Sequence, residues 1–476
     1  MALGTNLGIL AQLQSGLPPF TNTYSLDFDG VDDYLSIVAT FDATNGISFS
    51  CWVKYDGVGA GLNWLCSAGG TGGVSSQFNT RLISDGRWFN YFQGSPSDTG
   101  ISGLADGKWH HIAQTVNYSN GDVKFYKDGA VSATVLTFGS AYSTAKLGGI
   151  GGATSSGVYP FKGGVDEVSI FGSVLTPAEI VTLSTAPTVD LTSLNPIAWY
   201  RMGDNGAYKS PQWLIPSNEN KDKVSNYSYE FQGINSRQMN VGTVNVGTTN
   251  ITSMWLKRNV VSTQQALLGG SSTSSPTYHM LLFTANDFYV RYSPAVVIGW
   301  TQASVKAIFN NTTDWINIVV VRNGDTVKLH LNGDNVGITP NFPSPGVAIG
   351  ALDTKFTDIG ADINGTSPTN GIINNIATWN VDTVLPSDIY NGGTPPDLTT
   401  LSTAPVNWWK MGEDATFVYN VGGNGTFTVP DQVGSNDGTS TTVIEDRVGF
   451  APSSENNALS INMDFVDRVL DTPPTP

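Results

Sequence analysis

Two stretches of the chain alternate apolar and polar residues in the same way. DGKWHHIAQTVNYSNGDVKFYKDG, residues 106–129, and TTDWINIVVVRNGDTVKLHLNG, residues 312–333, each open on a tryptophan, Trp109 or Trp315, then run, turn and run back. In the returning run Val123 and Phe125 face one way and Lys124 and Tyr126 the other; in the later copy Val327, Leu329 and Leu331 oppose Lys328, His330 and Asn332. A period of two marks a half-buried strand. Asp128-Gly129 and Asn332-Gly333 supply the positive-φ positions of a tight turn, so each copy predicts a β-hairpin.

The duplication extends beyond the hairpins. YSLDFDG at residue 24 matches YSYEFQG at 227, SFSCWVK at 48 matches ITSMWLK at 251, and LCSAGG at 65 matches QALLGG at 265. FKGGVDEVSIFGSVLTPAEIVTLS, residues 161–184, matches GIINNIATWNVDTVLPSDI, residues 371–389. Only the TPAEIVTLS piece reads as helical in the first copy, with Thr176 as N-cap, Pro177 at the first position and Glu179 following. LSTAP and a tryptophan-aromatic pair follow each copy, as IAWYRMGD and then VNWWKMGE, so the connector belongs to the repeat. These patterns predict an all-β chain of two tandem antiparallel β-sandwiches with extended terminal arms: arm 1–23, first sandwich 24–184, connector 185–225, second sandwich 226–393, and a connector-like tail 394–476 that resembles the opening of a third unit. The arm and the segment after about residue 430 have little to bury alone and are expected to dock on other chains.

Composition agrees with many short strands joined by turns, with 53 glycines and 24 prolines. The formal charge of −16 with only 23 lysines and arginines leaves no cationic surface for phosphates, which excludes nucleic acid and anionic membranes as partners. No apolar run approaches the roughly 20 residues of a membrane span, so membrane insertion is not expected. The N-terminal stretch has no basic region before its apolar residues and reads as an arm rather than a signal peptide.

In order along the chain, YSLDFDGVDDYLSI, FSCWVK, DGKWHHIAQTV with KFYKDG, and FKGGVDEVSIFGSVLTPAEI are similar to the laminin-G-like and pentraxin-like jelly rolls of the concanavalin A-like lectin/glucanase superfamily. The resemblance implies jelly rolls of about a dozen strands each, with rim loops that in some relatives bind calcium or glycans. The tandem repeats with their W-Y-x-M-G-D connector also resemble virion proteins of marine bacteriophages. That resemblance implies a non-catalytic structural and interaction protein of a phage particle, assembled in the host cytoplasm and localised to the virion. Its partners would be other virion proteins, copies of itself and host surface polysaccharide. A glycan-binding lectin module of a cellular surface protein is the alternative.

Candidate chemistry is sparse. A retaining glycosidase needs two carboxyls about 5 Å apart, and no E-x-D-x-x-E strand, G-x-S-x-G turn or Ser/His/Asp order is present, so no enzyme is expected. His110 and His111 are adjacent in a strand, face opposite sides and cannot share a metal. Cys51 aligns with Met254 and Cys66 with Ala266, which favours buried apolar roles over a cross-strand disulfide. Trp64, Trp88 and Tyr91, near glycine-rich turns, are the glycan-binding candidates, with a role as core aromatics the alternative. Asp166 and Glu167 occupy the closing strand where the superfamily often has an acidic pair, and the second copy has Asn374 and Asn375. They are candidate calcium ligands if a bulge turns both to one side. The other reading is that they accept hydrogen bonds from neighbouring groups.

Overall fold

The computed structural model describes residues 22–474 apart from 43–45, 58–62, 68–78, 93–94, 138–143, 153–158, 205, 210–211, 216, 218–226, 262, 271–279, 286, 294–295, 337–348, 363, 413–414, 420–424, 444–447 and 451–456. All but two residues of the expected N-terminal arm 1–23 therefore lie outside the described residues. The chain divides into two compact units, residues 1–221 with 455–476, and residues 222–454.

The first unit begins with β1 (Ser25–Asp29), β2 (Tyr34–Asp42), β3 (Ile47–Lys54), β4 (Asn63–Ser67), β5 (Asn79–Leu82), β6 (Trp88–Phe92), β7 (Ser95–Asp98), β8 (Trp109–Val116), β9 (Asp122–Lys127), β10 (Ala130–Thr137), β11 (Thr144–Ile150), β12 (Lys162–Phe171), β13 (Pro196–Tyr200), β14 (Ala207–Lys209) and β15 (Gln212–Ile215). The second unit comprises β16 (Tyr227–Gln232), β17 (Met239–Gly247), β18 (Thr249–Arg258), β19 (Gln265–Gly269), β20 (Met280–Thr284), β21 (Asp287–Arg291), β22 (Val297–Trp300), β23 (Ile316–Asn323), β24 (Thr326–Leu331), β25 (Asp334–Asn335), β26 (Thr354–Ile359), β27 (Asn370–Trp379), β28 (Asn407–Trp409), β29 (Thr416–Tyr419), β30 (Gly425–Val429), β31 (Gly438–Val443) and β32 (Val448–Phe450). β33 (Ala458–Ile461) and β34 (Arg468–Val469) return to the first unit.

Each unit pairs an eight-stranded with a nine-stranded antiparallel sheet. The first unit has the orders β10-β9-β8-β3-β12-β1-β34, with β13 also on β12, and β14-β15-β33-β2-β11-β4-β5-β6-β7. The second has β25-β24-β23-β18-β27-β16-β32, with β28 also on β27, and β22-β21-β20-β19-β26-β17-β31-β30-β29. The orders correspond strand for strand.

This correspondence corrects two expected boundaries. Residues 185–225 are not a free connector, because β13 pairs with β12 and β15 pairs with β33. Residues 394–476 are not the start of a third unit, because β28 to β32 close the second sandwich and β33 and β34 close the first. The segment after residue 430, expected to need a partner chain for its order, finds that partner within its own chain.

The nesting can be located to a residue. Ser217 N–H donates to Asn457 Oδ1 at 2.9 Å, and its Oγ accepts from Trp199 N–H at 3.1 Å. In the second unit Asp431 N–H donates to Asp437 Oδ1 at 2.9 Å, and its Oδ1 accepts from Trp408 N–H at 2.9 Å. Between Asp431 and Asp437 the chain makes a short turn, whereas between Ser217 and Asn457 it makes the whole second sandwich. Surface turns tolerate such insertions because only their two ends must meet.

Alternation explains the packing. Phe28, Phe49, Val53, Ile112, Phe125, Val165 and Ile170 point between the two sheets of the first unit, and Met254, Leu256, Ile318, Leu329 and Ile373 do so in the second. Cys51 and Cys66 are free and buried in the first core, the apolar role expected of them.

A second, smaller cluster covers the opposite face of the eight-stranded sheet. There α1 (Pro177–Leu183) packs Ile180 and Leu183 against Ala113, Tyr126, Phe171 and Trp199, each full burial contributing about 1.5–3 kcal/mol. Its start is a capping box: Glu179 N–H donates to Thr176 Oγ1 at 3.3 Å, and Thr176 N–H to Glu179 Oε2 at 2.6 Å. α2 (Ala303–Phe309), which sequence reading missed, packs Val305 and Phe309 into the second core. α3 (Pro386–Tyr390) repeats α1 but begins at Leu385, which makes no side-chain cap. Among the described residues no helix is long and apolar enough to cross a membrane.

Candidate functional site

Residues paired directly across a sheet share a face. On the eight-stranded sheet of the first unit, Trp109 pairs with Lys54, Lys54 with Gly164, and Gly164 with Asp27. This row points away from the sandwich core, because the adjacent Val53, Val165 and Phe28 point into it. It floors a pocket of about 210 Å³ lined by Ser25, Asp27, Lys54, Asp56, Trp109 and Asp471, with Gly163 and Gly164 beneath.

Each wall has a local cause. Gly164 lets the indole lie against the strand, since a Cβ there would stand 2.7 Å from Trp109 Cη2. Asp471 arrives from the far end of the chain, one turn beyond β34, which pairs with β1. It accepts from Trp109 Nε1 at 3.0 Å and forms an ion pair with Lys54. Burial raises the Asp27 carboxyl above its ordinary range; Lys54 opposes this, and the neighbouring charges of Asp471 and Asp56 add to it. Lys54 and the indole N–H lower the Asp471 carboxyl despite its partial burial, which acts the other way. The half-buried aromatic ring, the carboxylates and the single ammonium surround a space of monosaccharide size.

The corresponding row of the second unit differs at its centre. Lys257 pairs with Ile372 and Ile372 with Glu230, while Trp315 stands one residue before the Leu256–Ile316 pair. A branched side chain occupies the position that Gly164 leaves open.

The sequence candidates fare unevenly. Trp88 is fully buried and meets Phe125 edge to face with centroids 5.2 Å apart, so it offers no ring to a ligand. Trp64 is half-buried and stacks on Tyr159 at 6.1 Å. The side chain of Tyr91 lies outside the described residues. The structure does not bring Trp64 and Trp88 to one binding surface. The site they were expected to form is replaced by the Trp109 pocket, whose tryptophan was legible as a strand opener but whose partner Asp471 was not.

Asp166 and Glu167 do turn to one side, through a bulge in β12 at which Glu167 takes φ 48°. Their oxygens are already occupied. Asn22 Nδ2 donates to Asp166 Oδ2 at 2.8 Å and to Glu167 Oε1 at 3.3 Å. Trp199 Nε1 donates to Glu167 Oε2 at 2.5 Å and Arg201 Nε to Glu167 Oε1 at 3.0 Å. Both side chains are buried, which raises both carboxyls; for Asp166 the charge of Glu167 adds to the effect, and for Glu167 the Arg201 guanidinium opposes it. The Arg201 guanidinium and the Asn22 and Trp199 donors make the pair a structural staple, the hydrogen-bond-acceptor reading of these residues. The second unit builds the same staple with amides in place of the carboxylates, with Asn375 at φ 45° and Trp408 Nε1 donating to Asn375 Oδ1 at 2.9 Å.

His110 binds Asp128 at 2.8 Å and Asp106 at 3.1 Å, and these carboxylates raise its pKa. His111 is buried beneath Trp52, its Nε2 3.2 Å from Ser50 Oγ, and burial lowers its pKa to about 4.

A family model described as the concanavalin A-like lectin/glucanases superfamily matches residues 29–181 and 231–389. The sushi, von Willebrand factor type A, EGF and pentraxin domain-containing protein 1 of Rattus norvegicus is 26% identical over 190 residues, 37% of this chain and 5% of that protein. The Mus musculus protein of the same name matches to the same extent. The chain thus spans about 5% of the length of these relatives. Among solved structures, domains LG4-5 of the mouse laminin alpha1 chain match at 12% identity and TM-score 0.27, covering 78% of this chain and 92% of that one. A carbohydrate binding protein from Bacteroides ovatus, so described provisionally, matches at 16% identity and TM-score 0.33, over 42% of this chain and 56% of that one.

Proposed function

We propose, for a chain that belongs to the concanavalin A-like lectin/glucanases superfamily, that the first sandwich is a saccharide-binding module that binds without cleaving. The observation that carries the reading is the Trp109 pocket, where an indole packed against Gly164 and bonded to Asp471 is ringed by carboxylates and one lysine. Sugars are held in this way, with an apolar ring face under the pyranose C–H groups and a few polar side chains around the hydroxyls. Glycan-array binding by the full chain tests it. Binding should be lost in Trp109→Ala and in Gly164→Ile, both still folded by circular dichroism, and no reducing ends should be released from bound oligosaccharides. Undiminished binding by Trp109→Ala contradicts the proposal.

The finer assignment places the module on a phage particle, facing host polysaccharide and held by other virion proteins or further copies of the chain. It rests on the resemblance of the duplicated W-Y-x-M-G-D segment to virion repeats. Imaging of purified particles with antibody against the first sandwich tests it, and absence of label from intact particles contradicts it.

A further inference from the structure

We infer that the Trp109 pocket selects saccharides carrying a free ammonium group, amino sugars in preference to N-acetylated, neutral or acidic ones; this rests on the reading of the pocket as a saccharide site. The lining holds the carboxylates of Asp27, Asp56 and Asp471 against the single ammonium of Lys54, a formal surplus of negative charge. Asp471 and Lys54 neutralise each other in their ion pair, and Asp471 also takes the indole N–H of Trp109. The surplus therefore centres on Asp27, the carboxylate beside Gly164.

Asp27 is placed to use it. Gly164 is its direct cross-strand neighbour, and the Trp109 indole reaches past Lys54 to lie against that glycine, so no side chain of β12 stands between the carboxylate and the indole. A pyranose ring laid on Trp109 brings a substituent to Asp27. A hydroxyl there makes an ordinary hydrogen bond, whereas an ammonium makes a charge-assisted one and relieves the repulsion among the carboxylates. The indole face adds its own attraction for a cation. A uronate, sulfate or sialyl carboxylate meets like charge instead. At a greater distance the −16 formal charge of the chain draws cationic ligands and turns anionic ones away.

The second sandwich supplies an internal control. Its Glu230 occupies the place of Asp27 but pairs with Ile372, so its carboxylate has no open indole beside it.

Calorimetric titration of the full chain with four hexasaccharides tests the inference: a glucosamine oligomer, its N-acetylated form, a neutral glucan and an oligogalacturonate. The glucosamine oligomer should bind tighter than the acetylated one by up to about fivefold, and the margin should shrink as salt is raised. Asp27→Asn should remove the margin by weakening the amino oligomer more than the acetylated one, and Glu230→Gln should leave every affinity unchanged. Equal binding of the amino and acetylated oligomers, or a margin that survives Asp27→Asn combined with Asp56→Asn, overturns the selectivity and leaves the saccharide site standing. Tighter binding of the oligogalacturonate, or binding of the amino oligomer only when calcium is added, also overturns it. Failure of all four oligomers and of the glycan array together overturns the saccharide reading itself, and this inference with it.

Discussion

In the first sandwich a glycine stands between Lys54 and Asp27 across the sheet and the Trp109 indole lies against it; in the second an isoleucine stands between Lys257 and Glu230 at the same register. Around that position the two units keep the same strand orders, the same bulge in the closing strand and the same tryptophan bonded to the bulge residue. The fold therefore tolerates either residue, and what changes is whether the face away from the core is open or filled. A duplicated sandwich can keep its architecture in both copies and its pocket in one.

The same comparison ranks the consequences of mutation. The largest effect is expected at the staple, built on carboxylates in the first unit and on amides in the second. Glu167→Gln leaves the buried Arg201 guanidinium without its counter-ion and should cost about 3–5 kcal/mol in chemical denaturation. Transplanting the second unit's set, Asp166→Asn with Glu167→Asn and Arg201→Lys, should recover most of that loss. A triple variant no more stable than Glu167→Gln would show that the two staples are not equivalent.

Next in size is acid sensitivity. His111, with Asn317 at the matching place, has a folded pKa of about 4 against an ordinary 6.5. The unfolded chain therefore takes up the proton first, and stability falls as pH drops from about 6.5 to 4, by about 3 kcal/mol in all. Asp33, whose carboxyl is raised to about 7 chiefly by burial, acts in the opposite sense, since its folded form is the protonated one and it loses stability as pH rises. The difference between the parent and His111→Asn isolates the histidine. That difference should grow as pH falls, and a constant offset would contradict the assignment.

Gly164→Ile, which copies the second unit, should weaken saccharide binding at least about tenfold, ~1.4 kcal/mol, with little change in the thermal midpoint because the row faces away from the core. The smallest effects belong to the helix caps. Thr176→Ala should cost about 1 kcal/mol, and Leu385→Thr should gain up to about that much by giving α3 the cap that α1 already has. Equal responses at the two positions would remove the distinction between them.

Much of this was legible in the sequence. The long alternating strands, the positive-φ turns after β9 and β24 and the Thr176 capping box all follow from local patterns. Strands of three to five residues, such as β13, β15 and β33, are too short to show a period. Their partners are also remote: Trp213 N–H donates to Ser460 Oγ at 2.6 Å across 247 positions. The same remoteness hid the pocket, since Asp471 reaches Trp109 across 362 positions. For Asp166 and Glu167 the acceptor reading was legible beside the calcium one, but nothing local announces that the donors would be Arg201 and Trp199 folding back onto them. Trp88, next to glycine-rich sequence, read either as a glycan contact or as a core aromatic, and its direct pairing with Leu82 places it over the core.

The nesting of one sandwich in a turn of the other is tested most directly by removing it. Replacing residues 218–456 with residues 432–436 joins Ser217 to Asn457 through the turn that the second unit uses at the same place. This shortened chain should unfold in a single cooperative thermal transition, at the midpoint of the first unit in the intact protein. Residues 24–184 alone, lacking β13 to β15, β33 and β34, should show none. A shortened chain without a cooperative transition, or a 24–184 fragment that melts like the intact first unit, would contradict it.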